Sequence, residues 1–175
     1  ARSRSAGLMR ATGRRTVENV RKHPWAQSLV ASYRSRADAI MKQPGDYVEK
    51  MIPELTPLCT LFTMCPHCEF APIHGQYAWS PARPDEIRCR NCGTVYPNEK
   101  YPEDLVLTAH TGGPPRPTGR PVEQRFTFYG GKSWRFNNID LRSSWTGSIR
   151  AYKTGHMARA ARDLAMAYAL TGERA

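Results

Sequence analysis

Between Thr16 and Met41, apolar side chains recur at steps of three and four, so that Trp25, Leu29, Tyr33, Ala37 and Ile40 fall on one face of an α-helix. Pro24 interrupts the run. Proline is tolerated in the first turn of a helix, where its missing N–H has no partner to lose. The pattern therefore predicts a short helix near Thr16–Lys22, a bend at His23 and a longer helix from Pro24 to about Lys42. Gln43-Pro44-Gly45 stops that helix, and Asp46 is placed to cap a brief one, DYVEKMI, which Pro53 ends. A stripe of this kind reads as core packing in preference to a binding groove.

Helical periodicity disappears over the next segment, which is dense in proline and aromatic residues, and HTGGPPRPTGRP follows as a linker. RFTFYGGKSWRF then alternates about a Gly-Gly pair and predicts a β-hairpin turning at Gly130 and Gly131. After NNID a helix is expected to start near Ser143 or Ser144, carrying Trp145, Ile149 and Tyr152. Gly155 is expected to break it. A last helix then places Met157, Ala160, Ala161, Leu164 and Tyr168 on one face and closes at Gly172. The resulting division is an arm (1–15), N-terminal helices (16–56), a cysteine module (57–104), a linker (105–124), a hairpin (125–136) and a C-terminal helical stretch (137–175). The last two helices each carry an apolar stripe with little chain left to cover it, so the expectation is that the protein continues past Ala175 or packs there on another chain.

Composition changes this picture only in part. A chain of 175 residues with 40% hydrophobic residues can bury a core, and 14 prolines with 13 glycines agree with a middle rich in loops. No run approaches the length of about 18 apolar residues that a membrane helix needs. The net charge of +11 favours polyanionic partners such as nucleic acid, acidic polysaccharide or an anionic membrane surface. Much of that excess sits in ARSRSAGLMRATGRR, which has five arginines and no acid and reads as a disordered arm. The chain starts at Ala1 and shows no apolar signal-peptide core, which leaves processing or trimming of a longer protein open.

The candidate chemistry lies in the cysteines. Cys65, Cys68, Cys89 and Cys92 form Cys-x2-Cys-x20-Cys-x2-Cys, a ribbon-type zinc spacing at its long edge. Two residues between cysteines let both sulfurs of a tight turn face one point, and two such turns supply four thiolates at about 2.3 Å from a zinc ion. Gly93 offers the positive φ that such a knuckle uses, whereas Glu69 occupies the matching place in the first pair. Disulfides are the competing arrangement, but Cys59 makes the count odd, and Cys59 itself reads as a small buried hydrophobe. Four sulfurs leave no open position for water, so the expected zinc is structural. His67 and His74 are near enough in sequence to substitute as ligands, but an exposed loop histidine is the commoner case. His23, His110 and His156 show no spacing that marks a catalytic pair.

Several segments in order resemble the heparinase II/III-like proteins: RRTVENVRKHPWAQSLVASYRSRADAIM, EKMIP, the insert CPHC…CRNCGTVYPNEKYP, and LAMAYALTGERA. The resemblance covers most of the chain from Thr16. It implies a mainly α protein with a small β/zinc-ribbon module and the first helices of an incomplete (α/α) toroid. It further implies the N-terminal part of a polysaccharide lyase that cleaves uronic-acid-containing polymers by β-elimination, and an exported protein. A reduced four-cysteine zinc site points mildly the other way on location. Family members place their catalytic Asn, His and Tyr on later segments, so the resemblance carries no catalytic residue onto this chain. Asn137, Asn138, Tyr152 and His156 stay unassigned. Trp134, Arg135 and Trp145 are candidates for the border of a saccharide groove, against ordinary core roles for the two tryptophans.

Two other readings compete. One is a zinc-ribbon nucleic-acid-binding module, in which the arginine-rich arm adds affinity that does not depend on sequence. Against it, EFAPIHGQYAWSPARPDEIR between the knuckles has two basic residues and three acids. The other is a helical-repeat interaction protein whose terminal helices pack on a partner.

Overall fold

Proline at position 24 opens a helix, as its fixed φ and missing N–H allow. The computed structural model describes residues 15–55, 57–58, 63–69, 76–111, 122–136 and 138–172. Residues 15–22 are helical (α1), His23 is extended, and α2 runs Pro24–Met41. A short helix α3, Tyr47–Met51, follows. Three strands, β1 (Tyr77–Ser80), β2 (Arg83–Cys89) and β3 (Val95–Tyr96), form an antiparallel sheet in the order β1-β2-β3. Strands β4 (Leu105–Thr111) and β5 (Val122–Phe128) pair antiparallel, as do β6 (Trp134–Phe136) and β7 (Ile139–Leu141). Helix α4 spans Trp145–Thr171. The protein is mixed α/β.

The described residues fall into two compact units. One comprises Val48–His156, and the other comprises residues up to Tyr47 together with Met157 onward. In the helical unit, α2 buries Ala26 and Ala37, with Val30, Tyr33 and Ile40 half-buried between and beyond them. The predicted stripe is thus correct from Tyr33 onward and one residue out of phase before it, where Trp25 and Leu29 are exposed. Small Ala26 is the buried residue of this turn, while Trp25 is exposed beside His23, with ring centroids 6.0 Å apart. The C-terminal half of α4 buries Ala160, Asp163 and Ala167 and leaves Tyr168 and Ala161 exposed. A buried acid in that stripe is explained by its partners. The Arg36 guanidinium reaches Asp163 at 2.8 Å and Arg162 reaches it at 2.9 Å. Burial opposes its ionisation, but the hydrogen bonds from Arg162 and Arg36 prevail and hold its carboxyl below the usual range.

Three expectations are corrected. No helix break occurs at Gly155; one mid-helix glycine costs only about 1 kcal/mol against alanine, and α4 continues through it. The segment 105–124 is not all linker, because Leu105–Thr111 forms β4 and pairs in register from Leu105↔Phe128 to Thr111↔Val122. No hairpin turns at Gly130 and Gly131, since Phe128 pairs with Leu105 and Trp134 pairs with Leu141. The tight turn instead joins β6 to β7, well beyond the Gly-Gly pair, with Asn138 at φ 64 leading into β7. Asparagine is among the few residues that enter this left-handed region readily. Gly130 serves a close approach instead. Its N–H donates to Asp104 Oδ1 at 2.8 Å, and a Cβ there would stand 2.5 Å from that oxygen. The arm at 1–14, Cys59, His74 and Asn137 lie outside the described residues. Among the described residues no helix is long and apolar enough to cross a membrane.

Candidate metal centre

The two Cys-x-x-Cys segments fold into matching turns. Glu69 N–H donates to Cys65 O at 2.9 Å, and Gly93 N–H donates to Cys89 O at 2.9 Å. Both closing residues are left-handed, Glu69 at φ 51 and Gly93 at φ 75. The first turn therefore takes the conformation expected of the second although it lacks the glycine. In each turn the first sulfur accepts backbone N–H groups from the next two positions but one, from His67 and Cys68 to Cys65 and from Asn91 and Cys92 to Cys89. Such donors stabilise an anionic sulfur.

These turns bring Cys65, Cys68, Cys89 and Cys92 together, all four sulfurs lying within 4.8 Å of one another. Across the turns, Cys65 Sγ is 3.6 Å from Cys92 Sγ and Cys68 Sγ is 3.8 Å from Cys89 Sγ. Four sulfurs about 2.3 Å from one ion at tetrahedral angles stand about 3.8 Å apart. All four cysteines are free thiols. Donor number, chemistry and spacing fit one tetrahedrally bound metal ion. Cys65 and Cys89 are buried, and Cys68 and Cys92 are half-buried.

The sheet and the first turn of α4 build the wall behind the sulfurs. Tyr96, on β3, places its hydroxyl 3.1 Å from Cys65 Sγ and stacks on Trp145 at a centroid distance of 4.5 Å. Trp145 is completely buried and donates its indole N–H to the Tyr77 hydroxyl at 3.1 Å. Tyr77 in turn donates to Met64 O at 2.8 Å. Ser143 holds the same residue, accepting from Met64 N–H at 2.7 Å and donating to Met64 O at 3.0 Å. The residue preceding Cys65 is thus fixed from β1 and from the approach to α4. Ile87 and Ile149 complete this core.

The start of α4 is itself well capped. Ser144 Oγ accepts from Gly147 N–H at 3.1 Å, and Glu103 accepts from Thr146 N–H at 2.9 Å, which puts a carboxylate at the positive end of the helix. The other Glu103 oxygen accepts from the Thr127 hydroxyl at 2.6 Å.

Burial pushes the Cys65 thiol up to about 12 and also raises Cys89. Cys92 goes the other way. Burial there is outweighed by hydrogen bonds from Thr94 and by its sulfur neighbours, and its thiol falls to about 6. Burial likewise raises Tyr77 and Tyr96, so both keep their hydroxyl protons beyond the usual tyrosine range. A buried cluster of this kind ionises fully only with a cation among the sulfurs, because the ion's charge reverses the local balance.

The structure brings together the four cysteines named from spacing. His67 is separate from them: its exposed ring lies 3.2 Å from the Tyr101 hydroxyl. Of the groove candidates, Trp145 is corrected, because a side chain with no exposed surface cannot border a groove. Trp134 is half-buried with Lys132 Nζ 5.9 Å from its ring centre, and Arg135 is exposed. Tyr152 stacks on Trp79 at 6.1 Å, and His156 packs on the same indole at 5.4 Å. Spacing alone missed Tyr77, Tyr96, Ser143 and Glu103. Their only sequence signal is the density of tyrosine and tryptophan around the knuckles.

Comparison with known proteins leaves the chain alone: no protein-family model, no curated protein and no solved structure matches it.

Proposed function

We propose that the four thiolates bind one zinc ion and that this ion is structural. The observation that carries the reading is the gathering of four sulfurs within 4.8 Å of one another, with contacts of 3.6 and 3.8 Å across two matching turns. Four sulfur ligands close the coordination sphere, so neither a bound water nor a substrate oxygen has a place on the metal. When bound, the ion supplies the positive charge that lets the buried thiols ionise. Tyr96 orients the Cys65 sulfur, the knuckle N–H groups hold the sulfurs as anions, and Trp145 ties them to α4. Metal analysis of protein purified without added metal tests this. About one zinc per chain is expected, and two disulfides with no metal would overturn it.

At the level of the whole protein, we propose the N-terminal part of a heparinase II/III-like polysaccharide lyase acting on uronic-acid-containing polysaccharide by β-elimination. Support comes from the order of the resembling segments and from the net charge of +11, which suits an acidic polymer. No residue here is assigned to catalysis. In such a reaction a base takes the proton beside the uronate carboxylate and an acid assists the departing oxygen. The protein in its full natural length, given acidic polysaccharides, should release products with the ultraviolet absorbance of an unsaturated uronate. Absence of that product across uronate polymers would remove this reading and leave the zinc assignment standing. A nucleic-acid role has less support on the ribbon, where Arg83 pairs with Glu86 at 2.8 Å.

A further inference from the structure

Away from the cysteines, α3 and the chain after it, β2 and the first turns of α4 enclose a cleft of about 480 Å³. Two cations on successive turns of α4, Arg150 and Lys153, line it. Lys153 is only 8% exposed. It donates to Asp85, whose carboxylate lies 2.5 Å away and whose own side chain is 79% exposed. A buried ammonium has three donors to satisfy and is costly to leave unmatched. Here a surface carboxylate reaches inward to meet it. Arg150 is half-buried, and desolvation lowers its pKa, partly offset by Glu103 and Glu54.

The acids of the cleft lie on its rim. Glu49, Glu54 and Asp85 are exposed, whereas Lys153 and Arg150 form the floor beside buried Ile149. Charges on an exposed rim are screened by solvent and salt, and those on a desolvated floor are screened much less. The floor therefore dominates what the cleft attracts, and Asp85 already shows which chemistry satisfies it.

We propose that this cleft is a binding site for a carboxylate-bearing ligand, which takes the place of Asp85 on Lys153 above a floor shared with Arg150. The site is independent of the zinc and of the lyase reading, so each can fail alone. NMR titration of the 175-residue chain with acetate and with glucuronate, at constant ionic strength and against chloride and glucose, tests it. Saturable shifts at Lys153 and Arg150 with the carboxylates alone are expected. Asp85→Ala removes the internal competitor and should tighten glucuronate binding by about tenfold if Asp85 holds Lys153 nine-tenths of the time. Lys153→Met should abolish saturation. Should Lys153→Met fail to fold, Asp85→Ala still decides, since its side chain is largely outside. Binding of an oligouronide but not the free acid would place the carboxylate on a polymer, and binding of the free acid would place it on a small molecule. Shifts that are linear and equal with chloride, or an Asp85→Ala variant that binds no more tightly, would overturn the proposal.

Discussion

Glu69 and Gly93 occupy equivalent positions with the same handedness, yet only one of them is glycine. For an L-residue the left-handed region costs about 1–2 kcal/mol, and glycine escapes this. Gly93→Ala should therefore lower stability by about 1 kcal/mol from strain alone, because no atom lies within 4 Å of the added Cβ. Glu69→Gly should act with the opposite sign, reduced by loss of the exposed Lys132 pair. Chemical denaturation of the metal-loaded variants checks both, and equal signs would contradict the matching-turn geometry. At this scale the clustering of the four cysteines is legible from spacing alone, since the Cys-x-x-Cys pair is a local geometry. The role of Ser143 is not, because it reaches the site from a distant part of the sequence, and although Tyr96 follows Cys92 closely, its contact with Cys65 crosses between the two knuckles and has no periodic signature.

At the scale of elements, expectation and structure differ most over residues 105–141. Alternation marks strands there, but pairing depends on partners far apart in sequence, and Leu105 to Thr111 leads directly into a proline- and glycine-rich run. Helices were read better because their pattern is internal to each segment. The errors in α2 and α4 arise where a small or charged residue faces inward, Ala26 in one and Asp163 in the other. At α4 the first turn approaches the segment before Cys65 closely: Leu58 N–H donates to Gly147 O at 3.2 Å, and a Cβ on Gly147 would stand 2.7 Å from Leu58 Cδ1. Gly147→Ala should thus destabilise by about 1–3 kcal/mol through overpacking, read as a lower denaturation midpoint. An unchanged midpoint would show that Leu58 moves freely. Asp163 predicts an acid limit for the helical unit. Its carboxyl is depressed by Arg162 and Arg36, so its stabilisation is present above the unfolded carboxylate pKa and is lost as pH falls through the folded value. Asp163→Asn should flatten that acid-side loss.

For the molecule as a whole, the sulfur cluster and the aromatic core of residues 48–156 form one structure, with Cys65, Tyr96 and Trp145 buried together. Structural zinc contributes about 10–16 kcal/mol of binding energy to small modules, as large as the typical net stability of a whole domain. Chelation should accordingly abolish the near-ultraviolet circular dichroism of the Trp145–Tyr96 stack. Acidification should act in the same direction. The metal-bound form carries fewer protons than the metal-free thiols, so affinity rises with pH through the range that opens near 6 at Cys92 and extends toward 12 at Cys65. The central claim is one closed, all-sulfur zinc site. X-ray absorption at the zinc edge of the purified protein tests it most directly: the account predicts four sulfur neighbours at about 2.3 Å, and an oxygen or nitrogen neighbour in that shell, or no zinc at all, would contradict it.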